Sequence, residues 1–302
     1  MKILVTGSTG LVGTALVKAL AKEGHTVCRL MRPESKTTSG GKDGFDVAWN
    51  PVTGELGGAG VGADAVVNLA GASIAGGRWT NARKKLLRMS RIATTRALVN
   101  AVAKMNARPR VLVSASAIGF YGDRGDEVLT EESKPGSDFL AGLAREWEAE
   151  ARKAEALGIR VVLARFGIIL AKHGGALAKM LLPFKLGAGG RLGSGKQWMS
   201  WITLEDVVGI IQFAIENNSV LGAVNVVAPQ PAQNAEFTKV LARALHRPAL
   251  FPAPSFALRF ALGEMANALL LSSQRVQPQV LEKLGYQFHH PELSGALRTA
   301  LV

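Results

Sequence analysis

Three glycines near the start of the chain have the spacing of a phosphate-binding turn. Gly7, Gly10 and Gly13 follow an apolar run at residues 3–5 and precede residues 14–23, where apolar side chains recur at helical spacing. In such a unit the first glycine permits a sharp turn, the second lets backbone approach a pyrophosphate, and the third lets helix and strand pack closely. Free amides and the dipole at the helix start then hold the phosphates. An ordinary tight turn is the alternative. The predicted dinucleotide contacts are Gly7, Ser8, Thr9, Gly10, Leu11, Val12 and Gly13.

The end of the second predicted strand, residues 26–31, bears on the choice between NAD and NADP. A site that selects NAD usually has an acidic residue there, about 20 residues after the glycine turn, to bind the ribose hydroxyls. Here Arg32 follows the strand, and a guanidinium pairs with a 2′-phosphate. Arg29 or Lys36 would assist it, whereas Glu34 follows a proline and is less suited to the ribose. We therefore predict NADP(H) in preference to NAD(H); the alternative is an exposed arginine without a function.

Two further strand ends are predicted to face the cofactor. The nearly continuous apolar run at residues 64–69 is typical of a strand covered on both faces, and small residues follow it. They would let the cofactor ribose lie close to the backbone. The next strand, residues 110–114, ends in a serine-bearing segment. The predicted cofactor contacts at these two ends are Asn68, Leu69, Ala70, Gly71 and Ser114.

The elements that must position these residues alternate between strand and helix. This alternation predicts an α/β fold with a doubly wound parallel sheet of the Rossmann type, which binds ligands outside the carboxyl ends of its strands. Beyond the first strands, we predict helices over 80–104, 138–157, 236–245, 255–271 and 276–284, and strands over 160–165 and 224–228.

The pattern loosens after Gly167, where a glycine-rich stretch is followed by a mostly helical remainder. We assign residues 1–170, with 203–228 returning to them, to an NADP(H)-binding domain. Residues 171–202 and 229–302 form a smaller, substrate-covering lobe with a helical C-terminal extension.

Composition limits the class of protein. A chain of 302 residues with 48% hydrophobic residues can build a large core. Cys28 is the only cysteine, so we expect no disulfide framework and a reducing, cytoplasmic setting. Because the first strand begins at once, we expect no signal peptide, and no apolar run approaches the roughly 20 residues of a membrane span. We predict no metal site, and a homodimer remains open.

The net charge of +13 suggests an anionic partner. The densest basic group has no interleaved aromatics for base stacking, so we favour a solvated or phosphate-facing helix over a nucleic-acid partner. This basic group comprises Arg78, Arg83, Lys84, Lys85, Arg88, Arg91 and Arg96.

The order of these motifs resembles the extended and atypical short-chain dehydrogenase/reductases. The glycine turn, residues 68–71, the serine-bearing strand end 114–116 and Tyr121-Gly122-Asp123 occur in that order. A subgroup of NAD(P)-dependent epimerase/dehydratase-like proteins with a C-terminal helical extension is closer still, and the match covers essentially the whole chain. Its further motifs are Gly77-Arg78-Trp79, Ser90-Arg91, Trp147-Glu148, Arg165-Phe166-Gly167, Gln197 with Trp201, and Gln274-Arg275-Val276-Gln277-Pro278. The resemblance implies a Rossmann-type NADP(H) site and an oxidoreductase or epimerase acting on a small polar substrate.

The resemblance also exposes a departure in the catalytic residues. Active members of the wider family use a Ser or Thr, a Tyr and a Lys four residues after it, and the ammonium lowers the pKa of the phenol. Ser116 stands in the place of the serine, but the helix that should open with the pair carries Phe139 and Leu143. Tyr121 is our first candidate for the substituted acid/base, with Ser116 as its oxygen-binding partner. Asp123 and His173 are the other candidates.

Two functional hypotheses follow, an enzyme with a substituted acid/base and an NADP(H)-binding regulator or scaffold that contacts partners through its C-terminal helices. Polyanion binding through the basic helix ranks third. For the enzyme, Arg275 is placed to meet an anionic substrate. The resemblance assigns the substrate pocket to Trp79, Arg165, Gln197 and Trp201.

The cofactor assignment predicts the effect of two substitutions. Gly10→Asp puts a carboxylate where the pyrophosphate is expected, and Arg32→Glu reverses the charge beside the 2′-phosphate, so each should lower NADPH affinity markedly. Calorimetric titration of each variant with NADPH measures the effect. Binding as tight as in the wild-type protein would show that the corresponding assignment is wrong.

Overall fold

The structure, a computed structural model, describes residues 1–32, 44–58 and 62–301. Its centre is a seven-stranded parallel sheet in the order β3-β2-β1-β4-β5-β7-β11. The direction of winding reverses between β1 and β4, which is the topological switch of a Rossmann-type sheet. The doubly wound fold is therefore confirmed. The strands of this sheet are β1 Lys2–Thr6, β2 Thr26–Met31, β3 Phe45–Ala48, β4 Ala65–Asn68, β5 Val111–Ala117, β7 Arg160–Phe166 and β11 Gly222–Val226.

Short strand pairs extend the molecule beyond this sheet. β8 pairs with β10, β9 with β12, and β6 with β13. Their bounds are β6 Val128–Leu129, β8 Ile168–Leu170, β9 Trp198–Met199, β10 Trp201–Thr203, β12 Ala232–Gln233 and β13 Arg275–Val276. The helices are α1 Leu11–Lys22, α2 Asn81–Arg88, α3 Thr94–Ala103, α4 Phe139–Arg152, α5 Gly175–Lys185, α6 Leu204–Glu216, α7 Asn234–Ala244, α8 Ser255–Leu262, α9 Glu264–Ala266, α10 Gln279–Lys283 and α11 Leu293–Leu301. None of the helices in the described ranges is long and apolar enough to cross a membrane.

The strands are apolar on both sides because helices cover both faces of the sheet. On one face, Ile3 and Val5 pack with Leu16 of α1 and Ile211 of α6. On the other face, strand residues such as Leu4 pack with α3 and the end of α4. Burial of this apolar surface is the main stabilising term of the sheet. The glycine turn and the loops that follow the other strands all lie at its carboxyl edge.

A separate apolar cluster holds the remaining elements together. It joins α5, α7 and α11 to β9 and β10, with Trp201 and Phe237 completely or almost completely buried at its centre. β11 lies in the main sheet beside β7, and α6 packs against α1, so this part of the chain returns to the central sheet.

Three predicted helices differ from those observed. The helix predicted over 80–104 is interrupted by a π turn at Met89–Ala93, where the backbone amide of Ala72 bonds the Ser90 hydroxyl at 3.1 Å. The helix predicted over 255–271 breaks at Gly263, whose φ of 62° no helix accommodates. The segment predicted over 276–284 starts in β13, and α10 begins only after Pro278, which lacks an amide donor.

The first strand–helix unit leads to a stability prediction. A Cβ on Gly13 would lie 2.2 Å from the Gly7 carbonyl oxygen, and backbone cannot move aside cheaply. Gly13→Ala should lower the free energy of unfolding by about 1–3 kcal/mol, measured by urea denaturation. Gly142→Ala is the matched control, since its Cβ would have no heavy atom within 4 Å and should leave stability unchanged or slightly raised. Equal stability of the Gly13 variant and the wild-type protein would contradict this packing.

Candidate functional site

The glycine turn is pressed against the end of β4. Gly7 has a φ of 64°, and a Cβ there would lie 2.6 Å from the carbonyl oxygen of Leu69. Any side chain at this position would force the two backbones apart. The contact brings together two stretches that the sequence predicts separately, the glycine turn and residues 68–71.

The start of α1 offers its amides without a protein cap. Gly10 is the N-cap, no side chain bonds to the first turn, and no acidic residue lies in that turn. Thr9 and Gly10 are exposed, and Leu11 and Val12 are half-buried. Such a helix start suits a phosphate group. Ser8 differs, because its side chain is buried and its hydroxyl lies 3.7 Å from Met31 Sδ, so only its backbone is left for a ligand.

The arginines at the end of β2 have different environments. Arg32 is exposed, which is compatible with the predicted contact to a 2′-phosphate. Arg29 is half-buried, and its Nε donates to Asp46 Oδ1 of β3 at 2.8 Å. This ion pair makes Arg29 a poor helper for Arg32. Lys36 and Glu34, the other residues considered, lie outside the described residues.

Asn68 and Ser114 form a buried polar row under the turn. Both are fully buried, and Asn68 Nδ2 donates to Ser114 Oγ at 3.2 Å. Thr6 Oγ1 donates to Asn68 Oδ1 at 2.7 Å and accepts from the Leu69 and Ala70 amides. In this geometry Thr6 holds the loop that follows β4, and Asn68 and Ser114 support Thr6 from the neighbouring strands. The sequence reading missed Thr6, although a polar residue at the end of an apolar strand was an available signal.

The predicted catalytic and substrate residues Ser116 and Arg165 meet around a glutamate of α4. Glu148 Oε1 accepts from Ser116 Oγ at 2.7 Å and from Arg165 Nε at 2.8 Å, while its Oε2 accepts from Arg165 Nη2 at 2.9 Å. All three are at most 5% exposed. A bidentate guanidinium–carboxylate pair of this kind fixes both side chains. Sequence reasoning gave Glu148 no role, because nothing local links it to a strand 17 residues away.

Tyr121 belongs to the same network. Its hydroxyl donates to Asn225 Oδ1 at 2.6 Å and accepts from Arg165 Nη1 at 2.9 Å. The side chain is completely buried, and burial raises the pKa of Tyr121 to about 12, although the nearby Arg165 opposes the shift. A phenol with both partners satisfied and a pKa this high is poorly suited to proton transfer near neutral pH. The geometry favours a packing role for Tyr121.

The two other acid/base candidates, Asp123 and His173, lie in different surroundings. Asp123 Oδ1 accepts from the amides of Ser273 at 3.1 Å and Gly125 at 3.4 Å. Bonds of this kind are typical of an aspartate that stabilises a turn. His173 is exposed, and the adjacent Gly174 lies against Leu11 of the glycine turn, where an added Cβ would be 3.2 Å from Leu11 Cδ1. Asp123 and His173 are both exposed, so solvent and ligand can reach either side chain, but the Asp123 carboxylate is already engaged by backbone amides.

The other predicted substrate residues fall into two groups. Trp79 packs edge-on against Phe139, with ring centroids 5.3 Å apart, so it covers the residue that replaces the family's tyrosine. Gln197 Nε2 donates to the carbonyls of Leu192 and Leu270 at 3.1 and 3.0 Å. Trp201 has no exposed surface left for a ligand. Gln197 therefore links residues 192 and 270, and Trp201 packs inside the apolar cluster of α5, α7 and α11.

Arg275 and one cluster of possible metal ligands complete the survey. Arg275 stacks over Trp198, 4.5 Å from the ring centroid. In the described part of the chain, Glu23, His25 and Glu216 place ligand atoms within 4.8 Å of one another. Their neighbours, Met1 and the start of β2, put them at the amino edge of the sheet, opposite the glycine turn.

The parallel sheet, its switch point and the uncapped glycine turn together define a dinucleotide-binding protein of the Rossmann type. The family model described as the NAD dependent epimerase/dehydratase family matches residues 3–227, and a domain of unknown function, DUF1731, matches residues 253–300. The chain belongs to the NAD-dependent epimerase/dehydratase family, with a DUF1731 domain at its C-terminal end. The resemblance stated from the motifs is confirmed.

Similar proteins cover nearly the whole chain. Epimerase family protein Mb2239 of Mycobacterium bovis is 45% identical over 98% of this chain and 96% of its own length. The crystal structure of human epimerase family protein SDR39U1 with NADPH matches with a TM-score of 0.89 and 36% identity, over 100% and 99% of the two chains. The nucleoside-diphosphate sugar epimerase of Corynebacterium glutamicum is 36% identical with a TM-score of 0.80, over 100% of this chain and 58% of its own.

The buried ion pair leads to a second stability prediction. Glu148→Ala leaves the Arg165 guanidinium buried without its carboxylate and should cost about 3–5 kcal/mol of unfolding free energy, measured by urea denaturation. Replacing both partners with apolar residues, Glu148→Leu with Arg165→Met, should cost less than the single change.

An exposed pair at the C-terminal end of the same helix, between its last residue and the 3-10 turn that follows, provides the control. Arg152 and Glu155 lie 3.1 Å apart and are nearly half exposed, so Glu155→Ala should change stability by less than about 1 kcal/mol. If Glu148→Ala cost no more than Glu155→Ala, the buried pair would not be a structural element of this edge.

Proposed function

We propose that this protein binds NADP(H) at the carboxyl edge of its sheet and transfers hydride between the nicotinamide and a small polar substrate. The observation that carries the proposal is the glycine turn, locked against Leu69, with an uncapped helix start and the exposed Arg32 beside it. The NADPH-bound structure of the human relative, 36% identical over the whole chain, supports the same cofactor.

Each part of the cofactor has residues suited to it. The amides at the start of α1 would hold the pyrophosphate, and Arg32 the 2′-phosphate, which favours NADP(H) over NAD(H). The backbone of residues 69–71 would lie along a ribose. When bound, the nicotinamide supplies a hydride donor or acceptor, and the protein must supply the matching proton.

The proton source is the unusual part of this proposal. Ser116 is our candidate for orienting a substrate oxygen, with Glu148 fixing its hydroxyl and Arg165 fixing Glu148. Tyr121 contributes by holding Arg165 in place. Phe139 stands at the position of the family's tyrosine, and it has no hydroxyl proton to transfer. Trp79 packs against its ring. His173 remains as an accessible titratable group beside the glycine turn.

The proposal extends to the class of substrate and to the cellular compartment. The relative from Corynebacterium glutamicum is called a nucleoside-diphosphate sugar epimerase, and a sugar-nucleotide-like polar molecule is the substrate class we infer from it. The substrate would lie between a cofactor domain, residues 1–170 with 203–228, and the lobe of residues 171–202 and 229–302. A reducing cytoplasmic setting fits the single buried cysteine, Cys28.

A specific observation favours a second candidate function. Ser116 and Tyr121 are both buried and fully hydrogen-bonded, so the groups that resemble a catalytic set are used structurally. A protein built this way would bind NADP(H) and report its redox state to partners without turnover. The C-terminal helices, with Phe256 and Phe260 exposed on α8, are its candidate contact surface.

Hydride transfer distinguishes the two candidates. The enzyme is expected to change the absorbance of reduced nicotinamide with at least one member of a panel of carbonyl compounds and sugar nucleotides. The regulator is expected to bind NADPH tightly and leave the whole panel unchanged. If NADPH does not bind at all, both candidates are excluded.

The pH behaviour of Tyr121 tests its role. Its folded pKa is raised from 10 to about 12, so the unfolded chain loses this proton first, and the phenol's contribution to stability should fall as pH rises from 10 to 12. Below pH 10 it stays protonated in both states. Tyr121→Phe should therefore flatten the loss of unfolding free energy between pH 10 and 12, measured by urea denaturation, and leave the shape of any activity profile at pH 6–9 unchanged. A changed profile at pH 6–9 would restore Tyr121 as the acid/base.

A further inference from the structure

The loop that follows β4 is bound by cationic side chains. Four consecutive carbonyls, those of residues 72–75, each accept a hydrogen bond from a side chain. Arg91 Nη2 donates to Ala72 at 3.0 Å and Arg83 Nη2 donates to Ser73. Trp79 Nε1 donates to Ile74 at 2.9 Å and Lys179 Nζ to Ala75 at 2.5 Å. Three of the four donors are charged, although each acceptor is neutral.

The basic group seen in the sequence separates into two sets in the structure. Lys84, Arg88 and Arg96 have carboxylate partners, namely Glu264, Glu146 and Glu150. The other members, Arg78, Arg83, Lys85 and Arg91, have no carboxylate within ion-pair distance in the described ranges. Lys179 of α5, which is not part of this basic group, has none there either.

Two arginines without a carboxylate partner, Arg83 and Arg91, show that these cations could bind a further acceptor. Arg83 Nε is buried and has no acceptor among the described residues. Burial, and secondarily the charge of Arg83, lower the pKa of Arg91 to about 10. Guanidinium groups bond anions more strongly than neutral carbonyls, so these bonds to the loop are the weaker of two available arrangements.

The position of the set relates it to the proposed cofactor site. Arg91 lies against Gly71, where an added Cβ would be 3.1 Å from Cζ, so the cations border the end of β4 that faces the cofactor. Trp79 connects the same loop to Phe139. Lys179 reaches the loop from α5, and Arg78 reaches the Phe260 carbonyl of α8 at 3.5 Å. Cations from separate elements thus converge on one loop.

We propose that Arg83, Arg91 and Lys179 form a subsite for an anionic group, a phosphate or a carboxylate, on the second ligand of this protein. The inference rests on the proposed function, since it names the charge of the substrate that NADP(H) would meet. Binding exchanges the bonds to the carbonyls of Ala72, Ser73 and Ala75 for charge-assisted bonds to the anion. Arg83 and Lys179 lie at the accessible side of the subsite, and Arg91 forms its floor.

Calorimetric titration of the NADPH-saturated protein tests this subsite. The probes are inorganic pyrophosphate and malonate, with glycerol as the uncharged control, and the titrations are repeated without NADPH. We expect one or both anions to bind and glycerol not to bind. Pyrophosphate alone identifies a phosphate-bearing ligand and malonate alone a carboxylate. If neither anion binds the wild-type protein, the proposal is overturned.

Two accessible variants and one matched control locate the binding. Arg83→Gln and Lys179→Gln should each lower the affinity for the anion at least tenfold and leave the affinity for NADPH unchanged. Arg88→Gln is the control, since it lies on the same helix but pairs with Glu146, and it should leave anion affinity unchanged. Equal losses in all three variants would overturn the proposal.

The alternative is that these cations bind NADP(H) itself, and the same variants distinguish this case from a substrate subsite. A parallel loss of NADPH affinity in Arg83→Gln and Lys179→Gln would assign the cations to NADP(H) and overturn a substrate subsite. Failure of the proposed function gives a different result, because NADPH would then not bind the wild-type protein while the anions still bind in its absence.

Discussion

The close approach of the glycine turn to the end of β4 is the constraint on which the carboxyl edge depends. The backbone of residues 69–70 lies against Gly7, and the backbone of residues 7–8 lies against Gly13. Neither position therefore accepts a Cβ. This contact fixes the direction of α1, and with it the direction in which the first amides of the helix point. Phosphate recognition by main-chain groups needs this fixed geometry because the amides carry no flexible side chain to adjust it.

Below this turn the sheet edge is polar, buried and almost fully hydrogen-bonded. Thr6, Asn68 and Ser114 connect β1, β4 and β5, while Ser116, Arg165 and Asn225 occupy paired positions on β5, β7 and β11. Glu148 closes the second row from α4. Such networks are stabilising only when every member is satisfied, and each then restricts its neighbours. The positions where the family resemblance expects a Tyr and a Lys carry apolar Phe139 and Leu143, which add no polar group to these rows.

The sequence was sufficient for features that depend on local pattern. Apolar runs predicted the central strands, and glycine spacing predicted the sharp turn between β1 and α1, because both are set by residues within one element. The partners Glu148 and Asn225 were not predictable in this way, since Glu148 reaches Arg165 from a helix and Asn225 reaches Tyr121 from another strand. The broken helix at residues 80–104 has the same cause. Its π turn depends on Ser90 bonding the amide of Ala72, a contact that no helical periodicity records.

Charge distribution explains why the cations beside residues 71–79 stand apart from the rest of the surface. Helix α4 directs Glu146 and Glu150 to Arg88 and Arg96, and its Glu148 to Arg165, so its carboxylates are already engaged. The protein carries a surplus of 13 positive charges, and cations that lack a carboxylate raise the potential around them. Part of this surplus lies at the carboxyl edge, next to the turn suited to a pyrophosphate. A bound anion would neutralise these cations, which is the reason to connect this part of the surplus with ligand binding.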